Sequence, residues 1–200
     1  HGIKILSLGN MVPPGTAVVW RGPMFHKVIS QFIDDTDWGE IDYLIIDLPP
    51  GTGDIQLTLA QQIPVSGSVV VTTPEPTAIT DAYATVKVAA RERNDMWMLL
   101  NQVANEQEAL SIFERIQRVA LGNIREDLDL RFIGKINDDQ KVSNAVKRRA
   151  LFTQTYPASI PSSDIRAIAR ELVKKLERQV YVKPKESGLA GLLKRLTEQF

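Results

Sequence analysis

The segment Tyr43-Leu44-Ile45-Ile46 is a short apolar run that ends in one carboxylate, Asp47, and passes at once into Leu48-Pro49-Pro50-Gly51-Thr52-Gly53-Asp54. Consecutive apolar residues of this kind read as a strand buried on both faces, as in a parallel sheet. Two prolines and two glycines then end the strand and leave a loop whose backbone N–H groups can approach an anion closely. A lone acid delivered to the C-terminal end of such a strand is how many nucleotide hydrolases hold Mg²⁺ beside a phosphate chain. The competing reading of Asp47 is an acid that caps the following turn; the attached loop favours the metal.

The rest of the chain repeats this grammar. Ile3–Leu8, Ser68–Thr73, Met96–Asn101 and Leu130–Lys135 are further strand-like runs. Helical patterns stand between most of them: Pro23–Ile33, Asp54–Ile63 with Asp54 at its cap, a helix capped by Thr77 and running to Arg93, and Asn105–Ile124. Asp138–Arg149 and Ser162–Gln179 follow, the latter with Ile165, Ile168, Ala169, Leu172 and Leu176 on its buried side. Val12–Gly22 is loop-like. Strands alternating with helices predict an α/β fold, a mostly parallel sheet flanked by helices in three layers. Residues 1–180 form that domain, 181–187 a polar linker, and 188–200 an amphipathic tail helix.

Composition narrows the function. Charged residues make up 24% and cancel to a net charge of zero, so no nucleic-acid partner is expected. There is no cysteine, which excludes disulfides and thiolate-held metal or iron–sulfur sites within these 200 residues. No apolar run is long enough to span a bilayer. The tail places Leu189, Leu192, Leu193, Leu196 and Phe200 on one helical face beside Lys194 and Arg195. Such a helix suits the headgroup region of an anionic membrane, or packs back on its own domain.

One expected part is absent from the sequence. The phosphate-cradling pattern G-x-x-x-x-G-K-[ST] does not occur: Gly134-Lys135 is followed by Ile136, and Asp129 stands where the first glycine belongs.

Three runs carry a family resemblance: Trp20-Arg21-Gly22-Pro23-Met24, the Asp47–Asp54 loop with Ile55-Gln56-Leu57-Thr58, and Val69-Val70-Val71-Thr72-Thr73-Pro74. Through them residues 1–74 resemble the Mrp family of P-loop ATPases, which are iron–sulfur cluster carriers. From Thr72 onward, Glu75-Pro76-Thr77-Ala78-Ile79-Thr80-Asp81-Ala82-Tyr83 and Asn101-Gln102-Val103 look more like the FlhG branch of the MinD/ParA-type ATPases. Both belong to the SIMIBI class. The resemblance implies a P-loop NTPase fold that is N-terminally truncated here, so that the intact protein hydrolyses ATP and this piece alone does not. It implies ATP and Mg²⁺ as cofactors and a homodimer formed through nucleotide.

The implied site follows residue by residue. Asp47 holds the metal; Gly51 and Gly53 sense the γ-phosphate, with Gly53 and Asp54 joining Asp47 in catalysis. Asn101 contacts adenine, and Asn137 and Asp138 lie in the loop beside the base, where the family carries proline at the position of Asn137. The resulting expectation is a cytoplasmic Mg-ATP-dependent switch of the Mrp/MinD type, controlling an unidentified protein partner or attachment of residues 188–200 to the inner face of a membrane. The alternative is an iron–sulfur cluster carrier of the Mrp family. The truncation also leads one to expect an uncovered sheet edge, prone to aggregation, beside Tyr43–Asp47.

Overall fold

The computed structural model describes residues 2–7, 31–48 and 65–182, with residues 178–182 described by their backbone alone. Three parallel strands form the sheet: β1 (Val69–Thr72), β2 (Asp95–Val103) and β3 (Asp129–Asn137), in the order β1-β2-β3. Helix α1 (Pro76–Ala89) joins β1 to β2, and α2 (Glu106–Asn123) joins β2 to β3. After β3 come α3 (Gln140–Lys147), a single turn α4 (Phe152–Thr155) and the long α5 (Ile160–Val182).

Side-chain alternation along β2 builds the layers. Met96, Met98 and Leu100 point to one face and are almost completely buried with Val70, Val86, Ala109, Phe113 and Leu130 beneath α1 and α2. Trp97 and Leu99 point the other way and pack with Ile133, Ile136, Ile168, Leu172 and Leu176, which seats α5 on the opposite face. The result is the expected three-layer α/β architecture, a parallel sheet between helices.

Local chemistry explains the boundaries. Helix α2 starts at Asn105, whose side chain accepts a hydrogen bond from the N–H of Glu108 at 2.9 Å, while the Glu108 carboxylate accepts from the N–H of Ala104 at 2.7 Å. This is a reciprocal capping arrangement close in spirit to the capping box. Helix α1 starts two residues earlier than its sequence suggests: Glu75 is the capping residue, without a side-chain hydrogen bond, and Pro76 occupies the first helical position. Proline is pre-shaped for that place and its missing N–H costs nothing there, so it outweighs Thr77. The helix ends at Ala89 rather than Arg93, because the Arg93 guanidinium is drawn to Asp95 at 2.8 Å and to the Val65 carbonyl at 3.3 Å, tying the starts of β1 and β2 together.

The first strands are not where the apolar pattern puts them. Residues 2–7 and 43–48 have no regular structure. Ile3, Ile5 and Ile45 are 76%, 78% and 90% exposed. A strand exists only when a neighbour completes its hydrogen-bond ladder, and neither run is a strand. Among the described residues the sheet ends at β1, with Val69 and Val71 exposed, and at β3, and the segment Tyr43–Asp47 is not part of it. Of the helix expected over Pro23–Ile33, residues 31–34 are helical. Ala169 is exposed, so the buried stripe of α5 is narrower than its sequence pattern. Helix α5 also carries through Tyr181 and Val182, where a linker was expected. The expected loop over Val12–Gly22, the helix over Asp54–Ile63 and the tail from 188 lie outside the described residues.

Candidate functional site at the C-terminal edge of the sheet

All three strands run the same way, so their C-terminal ends and the following loops open onto one edge. A cleft of about 430 Å³ lies there, lined by Thr73, Pro74, Glu75, Pro76, Gln102 and Asp138. Each strand contributes: the turn into α1 follows β1, Gln102 sits near the end of β2, and Asp138 directly follows β3. Parallel α/β sheets bind ligands at this edge.

Two irregularities shape the cleft. The β2–β3 pairing slips between Met98 and Leu99 and again between Asn101 and Val103. At the first slip Ile133 is the extra residue on β3, and Gly134 follows with φ +153°. A Cβ at Gly134 would stand 2.7 Å from Cγ1 of Ile168, so the glycine lets α5 lie directly on the strand. At the second slip the extra residue is Gln102, with φ +57°. A left-handed glutamine inside a strand costs on the order of 1 kcal/mol. The bulge takes Gln102 out of the ladder and places it in the wall of the cleft.

The sequence-derived site residues divide accordingly. Asp138 lines the cleft and is anchored by its N–H, which donates to the Val103 carbonyl at 2.9 Å. Asn137 is beside it but is occupied: its amide donates to the carbonyls of Val103 and Ala104 at 3.3 and 2.7 Å, splicing the ends of β2 and β3. Asn101 is half-buried within β2, opposite Ile136, because the strand continues to Val103; its neighbour Gln102 lines the cleft instead. The sequence offered one signal for this, two adjacent amides at the end of an apolar run, but only the bulge decides which of them reaches the rim. Asp47 is exposed at the end of an irregular segment rather than buried at a strand end. Gly51, Gly53 and Asp54 lie outside the described residues. Among the described residues no three acids, histidines or cysteines gather into a metal cluster. Gln102 and Asp138, facing space above Pro74 and Pro76, offer polar groups and an apolar platform suited to a flat heterocyclic base.

One carboxylate organises the ground beneath this wall. Asp164, in the first turns of α5, accepts the backbone N–H of Asn137 at 3.0 Å and the Lys135 ammonium at 3.1 and 3.2 Å. Lys135 also donates to the side-chain oxygen of Asn137. Both charged side chains are largely buried, Lys135 19% and Asp164 16% exposed.

Known proteins place this architecture. Similar curated proteins include the iron-sulfur cluster carrier protein of Deinococcus radiodurans, 37% identical over 86% of this chain and 49% of that protein. That of Aquifex aeolicus is 32% identical over 90% of the chain and 50% of its own length. That of Escherichia coli K12 is 56% identical over 41% of the chain and 22% of its own. The chain thus spans about half the length of the curated relatives it matches most broadly. These matches correct the expectation of a MinD/FlhG-type switch. Likeness to carriers extends far past residue 74, so the second half needs no separate branch to explain it. Residues 1–173 match the family described as ParA, NUBPL iron-transfer P-loop NTPase, and the chain belongs to that family.

Proposed function

We propose that this chain is the nucleotide-binding unit of an iron–sulfur cluster carrier that uses Mg·ATP. What carries the reading is the sustained similarity to carrier proteins across 86–90% of the chain, joined to a cleft at the sheet edge where nucleotides bind in parallel α/β proteins. The base would sit against Pro74, Pro76, Gln102 and Asp138; the roles of Asp47, Gly51 and Gly53 toward the phosphates rest on the family resemblance of their sequence.

Mg²⁺, when bound, would neutralise charge on the phosphate chain. Asp47 would hold it, directly or through water. By the family resemblance, Gly51 and Gly53 would sense the terminal phosphate and Asp54 would orient the attacking water. The reaction is hydrolysis of the phosphoanhydride bond, aided by positioning rather than by a covalent intermediate. Two copies meeting through nucleotide would couple hydrolysis to release of cargo. The cluster is that cargo. With no cysteine in the 200 residues, its thiolates come from elsewhere in the assembly, and this chain supplies the energy-dependent control.

The test is made on the whole protein. Anaerobic reconstitution with iron and sulfide should give a visible cluster chromophore, and ATP should speed its transfer to an apo-acceptor. A protein that turns over ATP but never takes up a cluster would defeat the carrier reading. Asp47→Ala should lower kcat for ATP hydrolysis by about a hundredfold or more with the fold intact, and an unchanged kcat would remove Asp47 from the site.

A further inference from the structure

We infer that Asp164 is a positioning residue for the nucleotide: from α5 it sets the place of the Asn137–Asp138 wall, and so ties base affinity to the seating of that helix. This rests on the cleft being the base site, as proposed above.

The geometry is a short chain of contacts. The Asp164 carboxylate takes both the N–H of Asn137 and the Lys135 ammonium. With its backbone fixed from behind, Asn137 directs its side-chain amide across to Val103 and Ala104, the two residues that follow the Gln102 bulge. Asp138 then closes onto Val103 with its own N–H. Both polar residues of the cleft that arise from β2 and β3, Gln102 and Asp138, are thereby held from one point. The ladder breaks at Gln102 and resumes at Val103 opposite Asn137, and the Asn137 amide and the Asp164 carboxylate brace that last pair beyond what strand pairing supplies. A proline at 137 would have no N–H to offer Asp164, so the latch depends on the residue this chain carries there. Lys135 and Asp164 are both too buried to be left single: loss of either partner strands a charge against the packed face of α5. A shift of α5 along β3 therefore moves the wall, and a wall fixed by a bound base resists such a shift.

Steady-state ATP hydrolysis by the whole protein tests this, with inorganic tripolyphosphate as a competitive probe that has no base. In Asp164→Ala, KM for ATP should rise about tenfold, the worth of one charge-assisted hydrogen bond, while kcat stays within about twofold. The inhibition constant of tripolyphosphate should be unchanged. Asn137→Ala should show the same split, and Asp164→Asn, which keeps an acceptor for the N–H, a smaller rise. If Asp164→Ala does not fold, Asp164→Asn and Asn137→Ala carry the test. Wild-type KM in these variants, or equal weakening of ATP and tripolyphosphate, overturns the inference while leaving the site reading intact. A wild-type protein that binds tripolyphosphate as tightly as ATP removes the base site itself, and this inference with it.

Discussion

Two apolar runs of similar composition end in different states. Val69–Thr72 is a strand: it pairs with β2 through Val69–Trp97 to Thr72–Leu100, and Val70 and Thr72 disappear into the core. Residues 43–46 carry equally strong strand formers, yet they make no ladder, and Ile45 is 90% exposed. The difference is not propensity. Val70 is covered because α1 and α2 pack over the same face of the sheet. The 43–46 run has neither a paired neighbour nor a helix over it among the described residues. Strand propensity expresses fit to a pleated, covered surface, and a run without that surface keeps its backbone groups in water.

The sharpest way to break this contrast is to truncate one side chain in each region. Leu100→Ala removes a fully buried side chain and should cost about 2–5 kcal/mol in urea unfolding. Ile45→Ala should change stability by no more than about 0.5 kcal/mol. Comparable losses would mean that residues 43–46 pack in solution as firmly as β1. Next in size is Gly134→Ala. Its positive φ and the 2.7 Å approach to Ile168 should cost roughly 1–3 kcal/mol, and α5 should show the first gain in amide exchange. Equal stability would show that α5 is not pressed against β3 at that point.

The smallest effect concerns a surface ion pair. A hydrogen bond from Arg125 holds the Asp127 carboxyl below the usual carboxylate range, and the opposite charge adds to it. A lowered folded-state pKa gives a stabilising contribution that is present above the unfolded-state pKa and is lost as pH falls through the folded one. Melting curves of wild type and Asp127→Asn should therefore differ slightly near neutrality and converge in strong acid. The pair is exposed to water, which keeps the gap small; a gap that widens in acid would reverse the assignment.

Much of the site was legible in residues and some of it was not. Asp138 was implied in the cleft region by the family resemblance, and the structure does place it in the cleft wall, directly after β3. Asn101 could not be told from Gln102, since a bulge shifts the period by one without changing composition. Asn137, implied by the resemblance in the loop beside the base, also splices the two strands, and that was not legible because the carbonyls it serves belong to residues 34 and 33 positions away. Asp164 gave no signal at all: one acid near the start of an amphipathic helix is ordinary until β3 is laid beside it.

The amino-acid sequence alone determined the alternation of strand and helix and the parallel sheet that follows from it. These are written in local periodicity, which acts over a few residues. Only the tertiary structure decided which apolar runs become strands, which of two amides reaches the cleft, and that a helix beginning at Ile160 holds the wall in place. Each of those depends on partners far apart along the chain, whose meeting is set by packing and not by any neighbouring residue.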